Sequence, residues 1–267
     1  MKEAAVNGTR LAWREAGTGE PLVLLHGFPF DSRLWEPQLR AVPPGWLAIA
    51  PDLRGFGRSE LGAIAPSVEQ HARDVLALLD LLGLGRAVIG GLSMGGYCAL
   101  ALHRIAPGRV RALVLCDTRA EPDSDEARRH RAVQAVTARE RGVDDVVRPM
   151  LARLLTPVTL VERPGLAAGL EQMMRETRPD ALIAALHALA ARPDARPQLA
   201  SIRVPVLVIG GELDEITPPV VLRELAAAIP GARLRLLPGA GHVSNLEAEA
   251  GFNTALHAFL AELCEPT

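Results

Sequence analysis

Ser93 stands in the pattern Gly91-x-Ser93-x-Gly95, inside the stretch GGLSMGGY, between the apolar run AVI and the helix-like run CALALHRIA. A serine hydroxyl is a poor nucleophile at neutral pH. It attacks a carbonyl only when a base draws off its proton and a third group holds the tautomer of that base. The base must come from seven histidines. His71, His103, His130, His187 and His257 fall in helical patterns, where a solvated or hydrogen-bonded histidine is the ordinary state, and His26, after a strand in LLHGF, is expected to shape its own loop. His242 differs, because PGAGHVSN places it in a short glycine-flanked loop after the last strand, and it is the expected base. For the acid, GGELDEITPP sets Asp214 in a loop at a strand end; Asp117, which ends ALVLCD, is its rival, with Glu212 and Glu215 behind both. A set of this kind transfers an acyl group through a covalent serine.

The glycines follow from that chemistry. A serine at a sharp strand-to-helix turn has a strained backbone, and side chains two before and two after it would collide as the two elements converge. Gly91 and Gly95 fill those places, and Gly96 eases the next contact. The strain exposes the hydroxyl and aims the Met94 amide, at a new helix N-terminus, toward whatever the serine attacks. Glycine-rich turns also bind phosphate, but GGLSMGG lacks both the G-x-G-x-x-G spacing and the lysine of a P-loop, and GFGRSE from Gly55 does not continue as a dinucleotide fingerprint.

Apolar runs of strand length alternate with helical patterns, which predicts a mostly parallel sheet covered by helices. Strands are expected from Pro21, Trp46, Ala87, Val110, Val204 and Ala232. Ser67 with Gln70 predicts a helix through Leu82 ended by Gly83, Thr217 before Pro218 opens another, and Ser244 with Glu247 reads as a capping box for a last helix through about Leu263. The connection from Asp117 to Val204 is far longer than a crossover needs. Its runs at 124–141, 144–155, 165–177 and 180–191, punctuated by Pro157, Pro164, Pro179 and Pro193, predict about four helices set as a cap over the strand ends. The domains are then a core in two parts, 1–120 and 199–267, with the cap at 121–198.

Composition excludes several classes of function. The chain has 267 residues, about half of them apolar, and can bury a full core without metals or disulfides. Cys98, Cys116 and Cys264 are odd in number and show no Cys-x-x-Cys spacing, so they are expected as buried free thiols. A formal net charge of −2, with arginines scattered among acids, argues against nucleic acid as a partner. No window is long and apolar enough for a membrane span, and the N-terminal residues do not read as a signal peptide, which predicts a cytoplasmic protein with no membrane partner, a monomer or homodimer.

With the order Ser93, Asp214, His242, and with the segments HGFP, DLRGFGRS, GLSMGG, GELDEITPP and GAGH, the sequence resembles the capped, esterase-like branch of the α/β-hydrolases along almost its whole length. The resemblance implies an α/β-hydrolase fold with an eight-stranded, mostly parallel sheet and a helical cap inserted after strand 6. It implies that the Phe28 amide joins that of Met94 in an oxyanion hole, and that no metal or other cofactor is required. It further implies hydrolysis of small to medium carboxylic esters. The related lactonases (3-oxoadipate enol-lactonase-like), carbon–carbon bond hydrolases and perhydrolases are the alternatives on the same residues, and a small-molecule receptor that keeps the fold is the alternative of another class. The aspartate elbow of haloalkane dehalogenases and epoxide hydrolases is absent, as is the G-G-S-W-G elbow of proline iminopeptidases. From the cap, Leu151, Leu155, Ile183 and Leu186, together with Leu154, Met173 and Met174, are candidate pocket walls, although apolar residues at helical spacing also serve as a cap's own core.

Overall fold

Asn7 and Gly8 both take positive φ, 44° and 71°, and this two-residue turn folds β1 (Lys2–Val6) back on β2 (Thr9–Gly17) as a hairpin. The computed structural model describes residues 1–264. β2 runs antiparallel to β4 (Trp46–Pro51), and every later pairing is parallel: β4 with β3 (Glu20–Leu25), β3 with β5 (Ala87–Leu92), then β6 (Val110–Cys116), β7 (Val206–Gly211) and β8 (Arg233–Leu237). The sheet thus has eight strands in the order β1-β2-β4-β3-β5-β6-β7-β8. All residues of β5 and β7 are buried, as parallel strands covered on both faces must be, which is why they read as unbroken apolar runs. After β3 the chain leaves to one side for β4 and returns on the other as β5. Such a switch point opens a crevice beyond the carboxyl ends of the strands.

Helices cover the sheet: α1 (Glu36–Arg40), α2 (Val68–Leu81) and α3 (Met94–Ile105) early in the chain, and α10 (Pro219–Ala228), α11 (Ser244–Glu247) and α12 (Glu249–Glu262) late. The Ser67 hydroxyl accepts from the Gln70 amide at 2.9 Å and opens α2 as its sequence predicts. Between sheet and helices lie the largest fully buried side chains, among them Trp35, Phe30, Phe56 and Phe252, each worth about 1.5–3 kcal/mol in burial. Arg54 in the DLRGFGRS segment is also buried; its guanidinium pairs with Asp74 of α2 through two bonds of 2.7 and 2.8 Å and donates to the Asn7 and Leu61 carbonyls. That segment is a clamp between hairpin, loop and helix.

The long connection between β6 and β7 holds α4 (Asp125–Arg141), α5 (Asp144–Leu154), α6 (Pro157–Glu162), α7 (Pro164–Arg175), α8 (Pro179–Ala190) and the short α9 (Arg196–Leu199). Pro157, Pro164 and Pro179 each occupy the first position of a helix, where the missing N–H costs nothing. The extra helix α6, unread in the sequence, starts because Thr156 caps the Thr159 amide at 3.2 Å just before Pro157. α4 packs on α8, and α5 on α4 and α7. Cys98 and Cys116 are buried free thiols, but Cys264 is exposed, because it lies just past the end of α12. Among the described residues no helix is long and apolar enough to cross a membrane.

Candidate active site

Ser93 is the single residue between β5 and α3, with φ 53° and ψ −112°, a conformation that costs a non-glycine residue on the order of 1–3 kcal/mol. The surroundings enforce it. Its amide donates to the Cys116 carbonyl at 2.8 Å, and the Thr118 hydroxyl donates to its carbonyl, also at 2.8 Å. A Cβ on Gly91 would lie 2.1 Å from the Gly95 carbonyl oxygen, and one on Gly95 would lie 2.1 Å from that of Leu25, at the end of β3. A Cβ on Gly96 would meet the Thr118 side chain at 2.5 Å. Glycine is therefore required at all three places so that β3, β5 and α3 can converge. The amides of Met94, first in α3, and of Phe28, after β3, donate to no backbone acceptor among the described residues.

His242 follows β8 and is buried, with Nδ1 2.8 Å from Asp214 Oδ2. Its own amide donates to the Leu154 carbonyl at 3.0 Å, which ties the histidine loop to the end of α5. Asp214, in the loop after β7, is held from behind: Oδ1 accepts from the amides of Ile216 and Thr217 at 2.7 and 2.9 Å, and the Thr217 hydroxyl donates to Oδ2. Burial pushes its carboxyl upward, but the adjoining His242 charge and the hydrogen bonds from His242 and Thr217 outweigh that and hold it below the usual carboxylate range. Thr217 was expected to open a helix. It braces Asp214 instead, and α10 starts after Pro218.

Asp117 does not reach His242. Fully buried at the end of β6 with φ 44°, it accepts from the Gly211 amide at 2.9 Å and from the Ser244 hydroxyl at 2.6 Å. Burial, then the charge of Asp214, raise its carboxyl well above the ordinary value against those two hydrogen bonds. Glu212 and Glu215 are exposed. The expected capping box at Ser244 and Glu247 does not form, because both side chains are engaged elsewhere: Ser244 on Asp117, and Glu247 on the amides of Gly241 and Thr156 at 2.7 and 2.8 Å. Glu247 thereby pins the residue before His242 to the α5–α6 joint, a role its spacing from Ser244 concealed. His26 does shape its loop: Nε2 accepts from the Leu53 amide at 2.9 Å, deep in the core.

Beside this edge lies a cavity of about 520 Å³ under α4 and α5. Phe28, Tyr97 and Ile216 bring its wall next to the turn at Ser93 and the loop of Asp214, while Ser93 and His242 are not themselves among its walls. Of the candidate pocket residues, none of Leu151, Leu155, Ile183 and Leu186 lines it. Leu155, just past the end of α5, and Leu186 of α8 are buried in the core, and Leu151 and Ile183 pack against it. Leu154, Met173 and Met174 are core as well. Among the described residues no three His, Cys, Asp or Glu side chains converge to hold a metal ion.

Residues 22–255 match the Alpha/beta hydrolase family. The chain belongs to that family. As an α/β-hydrolase it is 31% identical to 3-oxoadipate enol-lactonase 2 of Acinetobacter baylyi, over 90% of this chain and 88% of that protein. A thermophilic esterase from Thermogutta terrifontis, solved with malate bound, superposes with a TM-score of 0.96 at 34% identity over 99% of this chain and 100% of the other. The enol-lactonase from Burkholderia xenovorans superposes with a TM-score of 0.91, also at 34% identity, over 97% and 100% of the two chains. The hydrolase thus sits in the esterase and enol-lactonase-like branch, and its eight-stranded, mostly parallel sheet is that of an α/β-hydrolase fold.

Proposed function

We propose that this hydrolase cleaves carboxylic esters through an acyl-serine intermediate. The observation that carries the reading is the buried His242–Asp214 pair, 2.8 Å apart, at the same sheet edge as the strained serine. His242 takes the proton of Ser93 as the oxygen attacks the carbonyl, and Asp214 holds the Nδ1–H tautomer and stabilises the imidazolium. The undonated amides of Phe28 and Met94 receive the negative charge that grows on the carbonyl oxygen. The imidazolium returns that proton to the departing alcohol as the tetrahedral intermediate collapses to the acyl-serine. Water, deprotonated by the now neutral histidine, attacks the acyl-serine, and its proton passes to the Ser93 oxygen as the acid leaves. The inserted helices form a cap that limits the site to small or medium substrates. Lactone opening runs through identical steps, and the enol-lactonase and esterase relatives, at equal 34% identity, support it to the same degree.

Turnover of p-nitrophenyl butyrate and a panel of lactones tests the reading. Ser93→Ala should lower kcat by on the order of 10⁵–10⁶-fold and abolish labelling by a fluorophosphonate. Turnover that survives this change would overturn the acyl-serine mechanism, and a wild-type protein that neither hydrolyses nor is labelled would favour the receptor reading.

A further inference from the structure

The cavity beside the elbow has an unexpected charge. Arg119, Arg131, Arg153 and Arg192 line it against Asp123 and Asp145 only, and Asp145 pairs with Arg141 outside it. Two of the arginines are already neutralised: Arg131 and Arg192 share Asp123, and the Arg192 guanidinium lies over the Tyr97 ring at 4.4 Å. Asp123 is held below the usual carboxylate range, since the hydrogen bonds and charges of these two arginines outweigh its burial.

Arg119 is different. It follows Thr118, whose hydroxyl braces the Ser93 carbonyl, so it leaves the sheet from the same strand end that supports the elbow. Among the described residues no carboxylate lies within 4.0 Å of it. Among the described residues its one side-chain hydrogen bond is from Nη2 to the Ile216 carbonyl, in the loop of Asp214, and Nε and Nη1 find no acceptor there. A half-buried guanidinium has five N–H groups to satisfy and loses solvation in a cleft. Elsewhere in the chain, buried or half-buried arginines such as Arg54, Arg33 and Arg111 each have a carboxylate. Arg119 has a cavity.

We infer that Arg119 binds a carboxylate carried by the substrate at the end remote from the scissile carbonyl, so that the preferred substrates are half-esters of dicarboxylic acids. Arginine suits this because its planar donors match a carboxylate in a charge-assisted pair, and a cleft concentrates that attraction. The inference rests on the hydrolytic reading above and adds to it the charge of the substrate.

The test compares p-nitrophenyl hydrogen glutarate with p-nitrophenyl pentanoate, which differ chiefly in the terminal acid. In the wild type the ratio of kcat/KM, anionic over neutral, should be about tenfold or more, and should fall as salt is raised. Arg119→Gln should lower that ratio at least tenfold, with Arg119→Lys keeping part of it. A wild-type ratio near one, or a ratio that salt and Arg119→Gln leave unchanged, overturns the inference while hydrolysis of the neutral ester still supports the ester reading. If neither ester is cleaved, the ester reading fails, and calorimetric titration with glutarate still decides the anion site: binding lost in Arg119→Gln sustains it, and equal or absent binding refutes it.

Discussion

The ends of β6 and β7 are neighbours, and each carries a buried aspartate that accepts hydrogen bonds from a backbone amide one strand-end loop away or closer. At the end of β7, Asp214 faces an imidazole and is pulled toward ionisation; at the end of β6, Asp117 is pushed away from it by burial and the charge of Asp214, which its bonds from a hydroxyl and an amide do not offset. The two sites differ by what the next loop delivers. The loop after β8 brings His242 to Asp214 and, two residues later, Ser244 to Asp117, so one short segment is tied to both carboxyls. Asp214 orients the imidazole of His242, and Asp117 holds the segment in which His242 resides.

The largest contrast is catalytic. Asp214→Asn should cost on the order of 10⁴-fold in kcat for a p-nitrophenyl ester at neutral pH, because an amide in that place stabilises the wrong imidazole tautomer and no longer balances the imidazolium. Asp117→Asn should cost about tenfold or less in kcat, since it touches His242 only through Ser244. Steady-state kinetics of the two variants decide this directly. A severe loss in Asp117→Asn with a mild one in Asp214→Asn would exchange the two roles.

The comparison also marks how far the sequence could be read. The sharp turn at Ser93 and the parallel strands were legible because each depends on local constraint: glycines that no Cβ can replace, and apolar runs that only burial on both faces explains. Which of Asp214 and Asp117 meets His242 was legible only as a preference, since both follow apolar strands and the difference is a contact across 28 residues. The hairpin of β1 and β2 went unread although Asn7-Gly8 signals it, because the flanking residues carry too little apolar alternation to announce strands. Ser244 and Glu247 misled for the opposite reason: their spacing is that of a capping box, but Asp117 and the Gly241 amide compete for the same side chains and prevail. The inserted helices were placed well and their faces were not. Apolar residues at helical spacing say which side is buried without saying whether helix or cavity covers it, and the cavity wall turned out to hold the arginines.

The smallest expected effect is also the one that separates the two aspartates without any substrate. A carboxyl whose pKa is lowered by folding contributes stability that is present above its unfolded value of about 3.9 and is lost as pH falls through the folded one; a carboxyl whose pKa is raised does the reverse, its contribution being full below about 3.9 and lost as pH climbs. Asp214 is of the first kind and Asp117 of the second. His26 and His71 add a background of their own: burial lowers both, His71 to about 4, so the folded protein loses stability as pH falls from about 6.5. That background is common to every variant and cancels when Tm is read as variant minus wild type. For Asp117→Asn the difference should move upward as pH rises from about 4, because the ionised carboxyl that folding must bury is gone. For Asp214→Asn it should move downward as pH rises through the acid range, because the variant lacks a favourable ion pair that the wild type gains. The slopes should therefore have opposite signs, each amounting to a few degrees. Parallel slopes would mean that both carboxyls are ionised alike, and that the distinction between an orienting aspartate and a holding one does not lie in their electrostatics.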